Sequence, residues 1–277
     1  TALIARSSRP LSITFRKKIK KIQSAKPISA IPTTRQFTFE AGKMGLNLED
    51  TVQDGVTVIF VERITEGSQA EKMSSLFVLG NGESRNGIKI ADMQQHGKVY
   101  ACNGVYRTET PDYLVAVDPK MLLEIGETDY IVNNKVWSNF NTQYNKHDKI
   151  LNHVQWFKPS LGWSSGPTAL RMACDHKYKE IYILGFDYQG HNQGKGFKFN
   201  NVFKDTRNYK KSKDEATFYG NWMNQTKRCL TDYKDVQFTR VIKDGWFAPK
   251  DLTWNKNLSH LTTQQFLEKF KLTVKSA

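Results

Sequence analysis

The stretch SLFVLGNGESRNG, residues 75–87, decides the fold of this chain. Its apolar run, residues 76–79, stops at Gly80-Asn81-Gly82 and gives way to small, hydrogen-bonding residues. A short apolar run that ends at turn residues predicts a buried β-strand. The glycines after it predict either a plain turn or a loop whose backbone approaches a phosphate or a nucleotide. The rest of the chain has to distinguish these two interpretations.

Strand and helix patterns alternate through residues 75–243. Strands are expected at 76–79, 98–102, 113–117, 128–132, 154–157, 180–186 and 236–242. Helices are expected at 119–125, 166–178 and 215–233. This alternation predicts an α/β fold with a mostly parallel sheet flanked by helices.

Small or polar residues stand at the ends of several predicted strands. Asn103 follows the second strand, Asp118 the third and Asp187 a later one, while Ser164-Ser165-Gly166 opens a helix. In open α/β sheets the ligand crevice lies outside the carboxyl ends of the strands, and a helix N-terminus favours an anion. Each position alone fits an ordinary turn or cap, and no standard phosphate-loop fingerprint is present. Together they predict a nucleotide site formed by Gly80, Asn81, Gly82, Ser84, Asn103, Asp118, Ser164, Ser165, Gly166 and Asp187.

The two ends of the chain differ from this region. The formal net charge is +14, and residues 1–35 contain nine Lys and Arg but no Asp or Glu. This basic arm and linker fits a solvated segment, a contact with an anionic surface, or an organellar targeting segment. Residues 244–277 are expected to form a C-terminal tail with a short helix behind a threonine cap, anchored by Trp246, Phe247 and Trp254.

Composition limits the class of protein. The hydrophobic fraction of 39% can build a core, and no apolar run approaches the ~20 residues of a membrane helix. The three cysteines lie far apart and show no zinc-binding spacing. The sequence therefore predicts a soluble, cytoplasmic protein with reduced thiols, no transmembrane segment and no metal or resident cofactor.

Residues 36–74 form a small β-rich module that resembles part of a PDZ domain. The stretches FEAGKMGLNLE, residues 39–49, and GVTVIFVERITEGSQAEKM, residues 55–73, resemble the first half of that fold, and residues 7–16 resemble its last strand. The loop Gly42–Leu46 matches the loop that holds a peptide carboxylate, which implies binding of a protein C-terminus. The sequence after Met73 departs from the PDZ pattern, so a remnant that only packs or tethers is the alternative.

The order of the strand-end motifs produces a second resemblance, over residues 75–240. The pieces GNGES, ACN, VDP and SSG, followed by TALRMACDHKYKEIYILGFDYQG, are similar to the nucleotide-binding pieces of the bacterial lipooligosaccharide sialyltransferases. The resemblance implies a Rossmann-like glycosyltransferase domain that binds a cytidine monophosphate sugar. It implies nucleotide contacts from Asn81, Gly82, Ser84, Asn103 and Ser165.

Two positions depart from the family pattern. Asp118 stands where the family has Asn, and Asn221 stands at the expected general-base His. An amide cannot take a proton at neutral pH, so His191, in the loop YQGHNQGKG, is the substitute base, with a solvent-exposed loop histidine as the alternative. The resemblance implies that Tyr209 and Tyr219 meet the leaving phosphate.

Residues 200–226 resemble uncharacterised proteins of marine cyanobacterial phages. The Lys, Arg and Tyr content of this segment suits a lid over an anionic ligand, and a charged surface loop is the alternative.

Two classes of function follow from these patterns. The first is a metal-independent glycosyltransferase that moves a sugar from a nucleotide-sugar donor to a glycan acceptor. The second is a non-catalytic binding or structural protein that retains the Rossmann-like scaffold, which the departure at Asn221 favours. Fold alone does not choose between them.

Overall fold

The computed structural model describes residues 11–14, 36–39, 46–53, 56–64, 75–192, 196–246 and 248–273. The chain divides into two compact units, Thr1–Met73 and Ser74–Ala277. None of the helices in the described ranges has the length and apolar character needed to cross a membrane.

The described residues of the first unit form two antiparallel strand pairs. Strand β1, Leu11–Thr14, pairs with β2, Gln36–Phe39, and strand β3, Leu46–Gln53, pairs with β4, Val56–Ile64. The register of the second pair shifts between Asn47 and Leu48. Residues 42–45 of the PDZ-like loop, and most of the basic arm, lie outside the described residues, so peptide binding and anionic contacts stay predictions.

An eight-stranded sheet forms the centre of the second unit. Every strand pairing in this sheet is parallel. The strands in chain order are β5 Ser75–Leu79, β6 Gly97–Cys102, β7 Tyr113–Val115, β8 Val136–Ser138, β9 Val154–Trp156, β10 Glu180–Leu184, the separate hairpin of β11 His191–Asn192 and β12 Phe197–Lys198, then β13 Gln237–Ile242 and β14 Leu258–Thr262. The spatial order is β14-β13-β10-β5-β6-β7-β8-β9. The predicted α/β, Rossmann-like class with a mostly parallel sheet is confirmed.

Helices cover both faces of the sheet. They are α1 Ile90–Met93, α2 Pro119–Gly126, α3 Tyr130–Asn133, α4 Asp148–His153, α5 Ser165–Asp175, α6 Gly220–Asp232, α7 Lys250–Thr253 and α8 Thr263–Phe270. Side chains alternate along a strand, so Leu76 and Val78 join the core under α5 and α6, while Phe77 and Leu79 join the core under α2, α4 and α8. Burial on both faces explains why β5 is a continuous apolar run.

One predicted strand was wrong. Residues 128–132, expected as a strand, contain most of helix α3, and the next strand of the sheet is β8. The β-branched pair Ile131 and Val132 favoured a strand in the sequence. In the helix Ile131 is buried in the core while Val132 is 46% exposed, so one-sided burial overrides the local preference.

Residues after 243 contribute more than a tail. Strand β14 extends the sheet in parallel with β13, and α8 begins with Thr262, whose hydroxyl accepts a bond from the Gln265 backbone. The predicted helix and threonine cap are therefore confirmed. The prediction that Trp254 anchors the tail was wrong, because its side chain is 84% exposed. Trp246 contacts the ring of His191. Phe247 lies outside the described residues.

Candidate functional site

A cavity lies at the carboxyl ends of β5, β6 and β10, beside the N-terminus of α5. The sheet grows from β5 towards β6 on one side and towards β10 on the other, and such reversals open a crevice at the strand ends. The cavity encloses about 770 Å³ including the part open to solvent. Its lining consists of Gly80, Asn81, Gly82, Cys102, Asn103, Ser164, Ser165, Gly166, Pro167, Gly185, Phe186, Asp187, Tyr188, Gln189, Phe199, Asn200, Asn201, Ala216, Thr217, Tyr219 and Trp222.

Most of the predicted nucleotide-binding residues lie at this cavity. The structure brings eight of the ten to its wall, namely Gly80, Asn81, Gly82, Asn103, Ser164, Ser165, Gly166 and Asp187. The other two are Ser84 and Asp118, which lie outside the lining. Gly80 and Asp187, 107 positions apart in sequence, therefore meet at one place because parallel strands end at the same edge of the sheet.

The glycines of the first loop make room for the loop after β10. The Gly80 N–H donates to the Leu184 carbonyl at 2.8 Å, and the Gly82 N–H donates to the Gly185 carbonyl at 2.9 Å. A Cβ on Gly80 would stand 2.5 Å from the Gly185 oxygen, and one on Gly82 would stand 2.3 Å from Asp187 Oδ2. The glycines are thus required for contact between two protein loops.

Asp187 fastens the same two loops together. Its carboxylate accepts the hydroxyl hydrogen bond of Ser84, the Ser84 N–H at 3.1 Å and the Asn200 amide at 3.1 Å. Ser84 was predicted to contact the ligand directly, but its hydroxyl already donates its hydrogen to Asp187. Asp187 itself is at the cavity wall but most of its accepting capacity is used.

Two amide oxygens at the cavity wall have no partner. Asn81 is 8% exposed and its Nδ2 donates to the Cys102 carbonyl and to the Tyr209 hydroxyl, both at 3.2 Å. The Oδ1 atoms of Asn81 and Asn103 are buried, and no donor among the described residues reaches them. Asn103 also has a left-handed backbone, with φ of 54°. Unsatisfied buried acceptors and left-handed residues cluster at functional sites.

Tyr209 supports this wall from behind. Its hydroxyl accepts the Gly104 N–H at 2.9 Å as well as the Asn81 amide. Burial raises the pKa of Tyr209, so the phenol stays neutral. Tyr209 is not part of the cavity lining, which differs from the expectation that it meets a leaving phosphate.

The N-terminus of α5 supplies another wall. The Ser165 hydroxyl accepts the Val117 N–H at 3.0 Å, which ties the helix to the end of β7, and the Ser164 N–H donates to Gln225 Oε1 at 3.0 Å. Asp118 instead caps α2, with its carboxylate accepting the Lys120 N–H at 2.9 Å. Asp118 therefore has the local role of a helix start.

The predicted catalytic residues separate in space. Tyr219 lines the cavity at the start of α6, whereas Asn221, two residues later, is exposed and outside the lining. His191 is also outside the lining, and its Nε2 lies 2.9 Å from Glu83 Oε2. Lys204 binds the other oxygen of Glu83 at 2.7 Å. Among the described residues that line the cavity there is thus no imidazole.

Sequence reasoning missed Arg240, which lies in the middle of strand β13. This guanidinium is buried, and its Nε donates to the Phe186 carbonyl at 2.8 Å while Nη2 donates to the Asp187 carbonyl at 3.1 Å. It also lies over the ring of Tyr188, 5.0 Å from the centroid. Burial lowers the pKa of Arg240, and Tyr188 and Asp187 oppose that effect. The only sequence signal was an arginine within an apolar strand pattern.

Comparisons with known proteins give two similar structures. The chain matches no protein-family model and no curated protein. It is similar to the MAf glycosyltransferase from Magnetospirillum magneticum AMB-1, at 16% identity and a TM-score of 0.46, over 85% of this chain and 38% of that one. It is also similar to the sialyltransferase CstII from Campylobacter jejuni, solved with the substrate analogue cytidine-5'-monophosphate, at 16% identity and a TM-score of 0.39, over 72% of this chain and 98% of that one. The Rossmann-like assignment rests on the strand order and the parallel pairing described above.

Proposed function

We propose that this chain is a glycosyltransferase-like protein that binds a CMP-sugar in the cavity and transfers the sugar to a glycan acceptor. One observation carries the proposal. Residues from GNGES, ACN and SSG, which resemble nucleotide-binding pieces in sequence, line one cavity at the carboxyl ends of parallel strands. Such an edge is where open α/β sheets bind their ligands.

The chemistry of the lining suits a nucleotide. The rings of Phe186, Tyr219 and Trp222 offer faces on which a base can stack. Asn81 and Asn103 line the cavity, and their amide groups suit hydrogen bonds with a base or ribose. The N-terminus of α5 favours the phosphate.

A second candidate is a protein that binds the nucleotide without transferring a sugar. The described lining holds no imidazole, and both Asn221 and His191 lie outside it. A transferase needs a group that takes the acceptor proton, and an amide cannot do so. This observation favours the binding role.

Isothermal titration with CMP, UMP, GMP and AMP tests nucleotide binding. We expect selective binding of CMP by the wild type and a loss of about tenfold or more in Asn81→Ala, since the variant removes the unpartnered acceptor and two wall bonds. Asn133→Ala is the matched control, because Asn133 ends helix α3 outside the cavity lining and its side chain donates to the Asp129 carbonyl. Failure of every nucleotide to bind would exclude both candidate functions.

Release of CMP from CMP-N-acetylneuraminic acid separates the two candidates. Turnover by the wild type supports the transferase, and binding without turnover supports the second candidate. His191→Gln tests the substitute base, since glutamine keeps a hydrogen bond to Glu83 but cannot accept a proton.

A further inference from the structure

The cavity poses an electrostatic problem for the proposed ligand. Among the described residues that line it there is no Lys, Arg or His, and the one charged residue is Asp187. A phosphate that leaves water needs a compensating positive charge or several hydrogen-bond donors. The compensation must therefore come from groups behind the wall or from backbone N–H groups.

Arg240 is a cation behind this wall. Its side chain belongs to β13, is 2% exposed, and donates to the carbonyl oxygens of Phe186 and Asp187, at 2.8 Å and 3.1 Å. Both of those residues and Tyr188 line the cavity. One peptide group therefore separates the guanidinium from the cavity.

The charge of Arg240 polarises the peptide groups that lie between it and the cavity. A trans peptide holds its C=O and N–H on opposite sides, so the N–H groups of Asp187 and Tyr188 point away from Arg240. A positive charge at the oxygen end of a peptide dipole strengthens the positive N–H end. Because the loop is buried, screening by water is weak and the effect is larger than at a surface.

The loop also meets the N-terminus of α5. A Cβ on Gly166 would stand 3.2 Å from the Phe186 ring, so the two walls are in contact. The helix dipole and the polarised loop favour negative charge in the same part of the cavity. The carboxylate of Asp187 opposes them, and three neutral donors from Ser84 and Asn200 hold that carboxylate between the two loops.

We propose that Arg240 is a positioning residue that holds and polarises the Phe186–Tyr188 loop and thereby creates a phosphate subsite next to α5. The inference rests on the proposed function, since it names the part of the cavity that takes the phosphate. Arg240 touches no ligand in this arrangement and acts through the backbone.

The test compares CMP with cytidine, which differ by the phosphate. We expect the wild type to bind CMP more tightly, and Arg240→Met to reduce the ratio of the two affinities about tenfold. Arg240→Lys keeps the charge and is expected to retain most of the ratio. Arg228→Met is the matched control, because it removes one exposed cation of helix α6, whose side chain is 68% exposed.

A purely structural role would weaken CMP and cytidine equally, and that result in Arg240→Met would overturn the inference. If Arg240→Met does not fold, Arg240→Gln takes its place, because it removes the charge but keeps a hydrogen-bond donor, and an equal loss for both ligands would again point to structure only. A wild type that binds CMP and cytidine equally would refute the phosphate subsite and leave nucleotide binding standing. A wild type that binds no nucleotide would refute the proposed function itself.

Discussion

Glycines at the strand ends serve contact within the protein as much as contact with a ligand. The sequence suggested a loop that wraps a phosphate, and in the structure Gly80 and Gly82 face the loop that starts at Gly185. Each glycine N–H in this contact donates to a carbonyl of the other loop. The cavity therefore depends on a close approach of two backbones, which side chains would prevent.

Gly82→Ala should lower the free energy of unfolding by about 1–3 kcal/mol, because its Cβ would lie 2.3 Å from Asp187 Oδ2 and 2.8 Å from the Gly185 oxygen. Gly166→Ala is the matched comparison. Its Cβ would meet only the Phe186 ring, at 3.2 Å, and alanine favours the helix by up to about 1 kcal/mol. Urea unfolding of both variants checks this order, and equal losses would contradict it.

The residue scale also shows what a sequence cannot predict. Gly80, Asn81 and Asn103 were identifiable because turn residues after apolar strands have a recognisable pattern. Arg240 was not, since its role comes from a contact with a loop more than fifty positions earlier. A buried polar residue in a strand shows its partner only when the strand order is known.

At the scale of elements, the segment of residues 199–216 acts as a strap across the site. It bonds to the loops of the cavity through Asn200, Lys204 and Tyr209, and Phe199 and Ala216 lie in the lining. Its far side attaches to α2 through Glu124 and Glu127. The charged residues of this segment suggested a lid in the sequence. Two of them, Lys204 and Arg207, attach the segment to Glu83 and Glu127 in the structure.

Glu124 is the buried attachment of the strap. It accepts bonds from Tyr106, from Arg107 and, at 2.7 Å, from Asn208. Burial alone would raise the pKa of Glu124, but these bonds lower it below its usual value. The stability from this group is therefore present above the unfolded pKa and is lost as the pH falls through the lower folded pKa.

Glu124→Gln should destabilise the protein by about 1.5–3 kcal/mol and speed tryptic cleavage within the strap, because charge-assisted bonds are lost. Glu127→Gln is the control. Its partner Arg207 has a 60% exposed side chain, so the loss of this ion pair should destabilise the protein much less than the loss at Glu124. Equal cleavage rates in the two variants would show that Glu124 does not hold the strap.

Elements differed in how well the sequence predicted them. Strand β5 and helices α2 and α5 have apolar patterns, turn residues or caps, and each was predicted close to its observed bounds. Strand β8 was missed because its apolar run is only Val136 and Trp137, shorter than the patterns at 113–117 and 154–157 that predicted β7 and β9. Strand β14 was missed because none of its residues is fully buried, so it has no clear apolar pattern. Its pairing with β13 holds it in the sheet.

At the scale of the whole molecule, all three cysteines are buried. Cys174 and Cys229 lie in the core between α5 and α6, and Cys102 ends β6 at the cavity. Burial raises the pKa of Cys102 and of Cys229 to about 12. An unfolded thiol ionises near 9.0, so the folded state binds more protons than the unfolded state from about pH 9 upwards.

Stability should therefore fall as the pH rises above about 9, since a raised folded pKa gives stability that is complete below the unfolded pKa and is lost above it. Each buried thiol should cost about 1.4 kcal/mol per pH unit in that window. Denaturant unfolding between about pH 7.5 and pH 10 measures the slope. Cys229→Ala should give a shallower slope than the wild type, whereas Leu230→Ala, its buried neighbour on α6, should lower stability equally at every pH. If the free energy of unfolding fell with pH at the same slope in both variants, thiol burial would not control alkaline stability in this fold.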